Sequence, residues 1–318
     1  MTGKVFDSIA GLVGNTPLVE LKHLAPGPGV RIYAKLEGQN PTGSIKDRIV
    51  LRILESARAT GALAPGQTVV EASTGNTGVA LAMFGRQLGH PVDVCVPRSV
   101  YPEIEALLRA FGANIRWVPR QAGIKNAIEV ARMVAKDEGA FLLDQFGNDE
   151  NARTHYETTA AEILADLSSV DIFVAGIGTG GTISGVGRRL KEANPACKVF
   201  GVEPRLGVHV QGLTSLEEGF IPPVLDESVL DGKIIVGNRH AFSHARRAML
   251  AEGLFGGISS GATLHAAMRA ATRIKRGNIV LIAADGGWKY LGTDLWDAED
   301  HDPAFEAHED PLDDVLWW

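Results

Sequence analysis

Cysteine is scarce: only two occur in 318 residues. Cys95 lies inside the apolar run Val92–Val96, and Cys197 lies between Pro195 and the next expected strand. With no CxxC pair and no closely spaced set, neither a disulfide scaffold nor a cysteine-ligated zinc site is expected. Proline is also sparse, at 15 against 37 glycines. That balance suits tight loops between regular elements rather than a disordered chain. No apolar run approaches the ~20 residues of a membrane-spanning helix. Met1–Asp7 carries no basic-then-apolar leader pattern, so a reducing cytoplasm is the expected location. Positive charge is not in excess either, since the formal net charge is −7. Ten acidic residues and no Lys or Arg fall between Asp294 and Trp318, leaving a near-neutral body of 31 basic and 28 acidic residues. Such a body is no nucleic-acid surface.

Two familiar catalytic patterns are missing as well. No G-x-S-x-G nucleophile elbow occurs. His240 and His244 stand four apart on an expected helix, but there is no HExxH and no third ligand in the neighbouring sequence, so no metal is expected.

What is present is a regular alternation of short, almost wholly apolar runs with amphipathic helical stretches. Expected strands are Leu18–Leu21, Arg31–Glu37, Thr68–Ala72, Val92–Val96, Ile115–Val118, Phe141–Leu143, Asp171–Gly176, Val199–Glu203 and Ile279–Ala284. Expected helices include Val79–Leu88, Lys125–Glu138, Ile183–Ala193 and Ala241–Glu252, and a long irregular segment runs from Glu203 to about Asn238. Strands apolar on both faces, alternating with helices, mean parallel-rich sheets covered by helices: an α/β fold.

The chemistry concentrates in the turns. Asn40-Pro41-Thr42-Gly43 ends an extended run, and Lys46 then opens an apolar-periodic helix (Ile49, Ile53, Leu54, Ala57). A lysine in the first helical turn faces the positive end of the helix dipole, which favours its neutral amine. A neutral amine is what a Schiff base with a carbonyl compound needs. The alternative is a solvated lysine paired with Asp47 or Glu37. Gly178-Thr179-Gly180-Gly181-Thr182 can turn several backbone N–H groups on one phosphate. Ser73-Thr74-Gly75-Asn76-Thr77-Gly78 offers hydroxyls, an amide and helix-start N–H groups suited to a carboxylate and a phenolic oxygen, or simply to an N-cap. Ser259-Ser260-Gly261 reads as a third helix cap. Gly176 through Gly181 also matches G-x-G-x-x-G, with Glu203 ending the next strand, which would suit a dinucleotide. Its mid-chain position argues against that, because such halves usually begin with their fingerprint.

In combination, Gly14–Leu18, Pro41–Arg48, Ser73–Gly78, Gly178–Thr182, Gly257–Ala262 and Lys289-Tyr290-Leu291 resemble the cysteine synthases, pyridoxal-phosphate enzymes of fold type II. The likeness spans about residues 8 to 295. Asp144-Gln145-Phe146 and the Gly286–Leu291 ending look most like the cysteine synthase B branch, which includes O-phosphoserine-using enzymes. The resemblance implies two domains: residues 1–36 with 147–295 as the larger, cofactor-binding one, and 37–146 as a smaller mobile one, followed by an acidic tail, 296–318. It implies pyridoxal 5'-phosphate held covalently by Lys46, which also moves the α-proton. Gly178, Thr179, Gly180, Gly181 and Thr182 would hold the phosphate, Asn76 the ring 3′-oxygen and Ser259 the pyridine nitrogen. Ser73, Thr74, Thr77 and Gln145 would grip the substrate carboxylate.

The implied reaction is a transferase-type β-replacement through an aminoacrylate, on O-acetylserine or O-phosphoserine, with sulfide or a sulfur-carrier protein as donor, in a homodimer. A specialised synthase adding a nitrogen or other nucleophile is the rival. Its motive is Glu103-Ile104-Glu105, where relatives show Glu-Arg-Arg. Thr214 stands near the place where O-phosphoserine users tend to carry arginine, leaving Arg98, Arg205 and His209 as candidate substitutes.

Overall fold

The computed structural model describes residues 5–98, 100–119, 123–293 and 296. In chain order the strands are β1 (Leu18–Glu20), β2 (Val30–Leu36), β3 (Val69–Ala72), β4 (Val92–Pro97) and β5 (Asn114–Val118). They continue with β6 (Phe141–Leu142), β7 (Ile172–Gly176), β8 (Lys198–Pro204), β9 (Gly232–Val236) and β10 (Gly277–Ala283). Two sheets result, with strand orders β1-β2-β10-β7-β8-β9 and β5-β4-β3-β6. Among the described strands β1 pairs with β2 antiparallel and every other strand pairing is parallel.

Burial explains the apolar runs. All four residues of β3 and all six of β4 are buried, so neither strand has a wet face on which polar residues could alternate. The strand β9 lies inside the segment expected to be irregular. It is an edge strand, its burial alternates imperfectly, and only five residues carry the signal.

The helices are α1 (Lys46–Ala59), α2 (Asn76–Gln87), α3 (Pro102–Ala110), α4 (Gly123–Glu138) and α5 (Glu150–Thr154). Then come α6 (Ala160–Asp166), α7 (Gly181–Ala193), α8 (Asn238–Glu252) and α9 (Ile258–Ala271). Ile49, Ile53, Leu54 and Ala57 of α1 are buried in one core with Val79, Ala80 and Phe84 of α2, as their helical spacing predicts. One turn of π-helix, His155–Thr159, joins α5 to α6 where a continuous helix is expected from Arg153 to Leu167. Apart from Trp296, the acidic tail and its Leu316-Trp317-Trp318 end lie outside the described residues.

Because β2, β10 and β7 are parallel neighbours, the loops leaving their carboxyl ends emerge side by side. Those loops begin at Glu37, Ala284 and Ile177. Ligands of parallel α/β sheets bind at such an edge.

Candidate active site

The lysine loop is held from several directions at once. Gly43 takes a left-handed φ of +79°, a conformation that glycine adopts without a side-chain clash. Thr42 donates through both its backbone N–H and its hydroxyl to the Asp47 carboxylate. Ile45 N–H donates to Ala284 O at 2.9 Å, and Ser44 bridges to Asp285, tying the loop to the end of β10. Arg48 forks onto Glu37 (2.7 and 2.8 Å) and onto Glu162 of α6 (2.7 and 2.7 Å). Burial raises the Glu162 carboxyl, but Arg48 and Lys35 outweigh it and hold the group down at about 2.

With Asp47 engaged by Thr42 and Glu37 by Arg48, the surface-lysine alternative fails. Lys46 is the first residue of α1, and its ammonium makes no hydrogen bond or ion pair among the described residues. Burial lowers it to about 8, while Asp285 pulls the other way. Desolvation, rather than the helix start invoked from sequence, is the cause of the lowering.

The second loop follows β3. The helix α2 begins at Asn76, three residues earlier than its periodicity suggests, so Asn76 and Thr77 are its first residues and Gly75 its cap. Ser73 Oγ accepts the N–H groups of Gly75 (3.1 Å) and Gly78 (2.9 Å), which shapes the turn. Thr77 donates to Gln145 Oε1 at 2.6 Å, and Gln145 Nε2 donates to Ala72 O at 2.9 Å. Gln211 Nε2 closes over the loop by donating to Thr74 O at 2.8 Å.

The third loop follows β7. Gly180 has φ +84°, and a Cβ there would lie 2.6 Å from Leu225 Cβ. The backbone N–H groups of Gly178, Thr179 and Gly180 have no hydrogen-bond partner among the described residues. They sit at the start of α7, where the helix dipole adds positive potential. Thr182 Oγ1 lies 3.2 Å from His155 Nε2, and His155 Nδ1 lies 3.0 Å from Thr159 Oγ1. His155 is fully buried, and burial pushes its pKa well below the usual range, so the ring is neutral. The π-turn thus sets a neutral imidazole beneath this loop, a placement often seen at functional sites.

These loops enclose two adjoining cavities that share Lys46, Asn76, Gly178 and Gln211. The inner one, about 60 Å³, is bounded by Lys46, Asn76, Gly178, Thr179, Gly180, Thr182 and Ser259. The outer one, about 380 Å³, takes in Ser73, Thr74, Thr77 and Gln145. Every predicted site residue lines one cavity or the other except Gly181, whose place is beneath the loop. A Cβ on Gly181 would lie 1.9 Å from Asn151 Oδ1. Ser259 is the second residue of α9 rather than its cap, and its hydroxyl has no hydrogen-bond partner among the described residues.

The dinucleotide alternative loses its acid. Glu203 is fully buried, accepts Leu216 N–H at 2.8 Å and pairs with Lys233 at 2.8 Å, and it lines neither cavity. The cysteines are no nucleophiles either, since burial pushes both thiols up to about 12.

Residues 9–285 match the family model of pyridoxal-phosphate dependent enzymes. The chain belongs to that family. A cysteine synthase of Staphylococcus aureus is 37% identical over 310 residues, covering 94% of this chain and 100% of the relative. Among solved structures, an O-ureido-L-serine synthase superposes with a TM-score of 0.89 at 37% identity, covering 96% of this chain and 100% of its own. A cysteine synthase of Entamoeba histolytica gives 0.87 at 34%, covering 94% and 93%. The likeness to cysteine synthases read from the loop motifs is therefore borne out, and with it the fold type.

The residues fit the cofactor. Three free N–H groups at a helix start suit its phosphate, a free lysine amine suits its aldehyde, and a free hydroxyl suits a ring nitrogen. All of them border one narrow inner cavity.

Sequence reasoning missed the groups behind these. Asn76 Nδ2 donates to Asp285 Oδ2 at 2.7 Å, and Lys289 Nζ donates to Asn76 Oδ1 at 2.6 Å. Tyr290 Oη donates to the same Asp285 oxygen at 2.5 Å. Burial raises Asp285 and lowers Lys289, each partly offset by the other's charge. The Lys289-Tyr290-Leu291 run was the available signal. Asp285 and Gln211 had none.

Proposed function

We propose that this enzyme performs β-replacement on an O-activated L-serine, adding a sulfur nucleophile to give L-cysteine. One observation carries the reading: a single unpaired, buried lysine borders both an inner cavity ended by free N–H groups and an outer cavity lined by hydroxyls and amides. Bound pyridoxal phosphate supplies the carbonyl for Lys46 and the electron sink that lets the substrate's α-carbon lose its proton. Around it, Gly178, Thr179 and Gly180 bind the phosphate through their backbone N–H groups. Ser259 meets the ring nitrogen with a neutral hydroxyl, which makes a weaker electron sink than an acid would and favours loss of a β-substituent. Lys46, whose free amine burial holds down at about 8, would take up and return the α-proton. Thr74 and Thr77, on the turn shaped by Ser73, and Gln145, just beyond β6, receive the substrate carboxylate.

The leaving group follows from charge. Thr214, His209, Ser215 and Glu218 border the outer cavity, and no arginine, and no lysine other than Lys46, does so among the described residues. Arg98 instead stacks over Trp117, and Arg205 does not line the cavity. A dianionic phosphate wants a bidentate cation, and the described wall offers His209 but no guanidinium, so we take O-acetylserine as the donor.

The second reading, a specialised β-substituted-alanine synthase, rests on the structural match to an O-ureido-L-serine synthase. Its sequence motive weakens: Glu103 accepts Gly292 N–H, Glu105 pairs with Arg109, and neither lines the cavity.

We further take residues 1–36 with 147–295 and residues 37–146 as the two domains, the smaller closing over bound substrate to exclude water. A homodimer acting in the cytoplasm completes the proposal. No helix among the described residues is long and apolar enough to cross a membrane. The deciding experiment gives purified holoenzyme O-acetylserine and O-phosphoserine in parallel, with sulfide, a carrier-protein thiocarboxylate or an amine nucleophile. Cysteine from O-acetylserine and sulfide, at the highest kcat/KM of the set, is the expected result. An amine that outcompetes sulfide with either donor would establish the second reading instead.

A further inference from the structure

Helices α8 and α9 touch through their backbones. A Cβ on Gly261 of α9 would lie 1.9 Å from Ala241 O and 2.6 Å from Ala245 N, both in α8, so only glycine permits this crossing. One turn beyond that contact, three histidines converge. His240 and His244 are one helical turn apart on α8, and His265 follows Gly261 by one turn on α9. In the sequence only the pair four apart is visible. Folding supplies the third ring.

Their nitrogens are close enough to share one ion. One nitrogen from each of the three lies within 4.8 Å of the other two. His244 Nδ1 is 2.9 Å from His240 O and 3.2 Å from Ser243 Oγ, so its proton is held by the carbonyl and its Nε2 lone pair points outward. Metal-bound histidines show this arrangement of one nitrogen on a backbone carbonyl and the other on the ion. The outward Nε2 lies 3.4 Å from His265 Nδ1. Two nitrogens bound at zinc's usual 2.0–2.1 Å in tetrahedral geometry stand about 3.3 Å apart. The His240 ring lies over His265 with centroids 4.4 Å apart, at a half-buried position, and ion binding at all three rings would re-aim its nitrogen.

We propose that His240, His244 and His265 bind one divalent first-row transition-metal ion, with zinc as the best match to three imidazoles and a water. Imidazole sets suit zinc, copper and nickel, whereas magnesium and calcium require oxygen ligands. The guanidinium of Arg247 is close enough to act on His244 and opposes a cation, so affinity rests on the three rings. The site is separate from the cavities around Lys46, because none of the three histidines lines either of them. It ties α8 to the helix whose first turn carries Ser259.

The test uses chelator-treated holoenzyme titrated with zinc chloride by calorimetry, with melting temperature as a second readout. Wild type is expected to bind one zinc per chain and to melt at a higher temperature with zinc, because the ion binds only the folded pair of helices. His244→Gln and His265→Gln should each weaken zinc at least about tenfold, while cofactor absorbance and cysteine formation stay at the wild-type level. Should a buried variant fail to fold, His240→Gln at its half-buried position carries the same expectation. Cobalt(II) in place of zinc should give the visible bands of a tetrahedral ion. No heat of zinc binding, or zinc affinity unchanged in these variants, would overturn the site and leave the rings linked by protons alone.

Discussion

The Lys289 ammonium donates to the Asn76 carboxamide oxygen at 2.6 Å, and this bond decides which end of the amide is free. With Oδ1 taken by a cation and one Nδ2 proton on Asp285, the second Nδ2 proton remains for the cavity that Asn76 lines. Lys289 thus positions a donor without touching the cavity itself. Lys289→Met frees the amide to rotate and removes a charge-assisted bond of about 1.5–3 kcal/mol. The expected outcome is a cofactor dissociation constant raised about tenfold or more, with a shifted cofactor absorbance. Titrating cofactor into the stripped variant measures it, and wild-type affinity with an unshifted band would refute the role.

Gly181 lines no cavity, yet it holds the floor of both. A methyl group there would collide with Asn151, whose Nδ2 donates to Gln145 O at 2.7 Å and to Thr179 Oγ1 at 3.0 Å. Moving Asn151 therefore disturbs the phosphate loop and the carboxylate side together. Gly181→Ala should lose cofactor affinity and raise KM for the amino-acid donor at once, each by at least about tenfold, the scale of 1.4 kcal/mol. Raised KM with intact cofactor binding would separate the two sides and contradict this account.

Arg48 joins α1, on the small-sheet side, to Glu162 of α6 on the large-sheet side, and it also neutralises Glu37. Arg48→Met leaves two carboxylates around a buried gap, with Lys35, at 2.8 Å from Glu162, as the one cation paired with them among the described residues. Breaking a buried pair from one side costs about 3–5 kcal/mol. Denaturant unfolding should show that loss, and a change under about 1 kcal/mol would place the clamp among weak surface pairs.

Lys46 makes stability depend on pH once the cofactor is removed. Its pKa falls from 10.5 to about 8 on folding, so between those values the unfolded chain binds more protons and stability rises with pH. Below pH 8 the buried charge costs at most about 3 kcal/mol. Stripped Lys46→Met should therefore melt above stripped wild type at pH 6.5, with the gap closing towards pH 10.5. Parallel melting curves across that range would show that Lys46 is not desolvated.

Most of the fold was legible because buried parallel strands advertise themselves as apolar runs, as in β3 and β4. Where the signal was weak, reading failed for physical reasons. The edge strand β9 has only partial burial, and the π-turn places His155 against Thr182, a residue 27 positions away. The site divides in the same way. Lys46, Asn76 and the glycine loops belong to local turns, so their motifs could be picked out in the sequence. Asp285, Lys289 and Gln211 meet their partners across 209, 213 and 137 positions, and His265 meets His244 across 21. Only the folded chain brings those groups together.

The outer cavity permits one gain-of-function test. Thr214 lines it, held by its N–H on Ile177 O at 2.7 Å, so its side chain can be lengthened without moving the loop's backbone bond. Its surroundings include Glu218 and His209 but no guanidinium among the described residues. Thr214→Arg would place five donors in a planar fork where a phosphoryl leaving group departs, and bidentate pairing with a dianion is stronger than neutral hydrogen bonding. Acetate departs as a monoanion from an ester that is neutral at the start, so it gains less from that charge than a dianionic phosphate does. The kcat/KM ratio for O-phosphoserine over O-acetylserine should rise at least about tenfold, equal to 1.4 kcal/mol of differential transition-state binding. Measuring both donors on the same preparation controls for misfolding, because a damaged cavity would lower both rates together. A ratio unchanged from wild type would mean that the leaving group departs away from Thr214 and that charge at this wall does not select the donor.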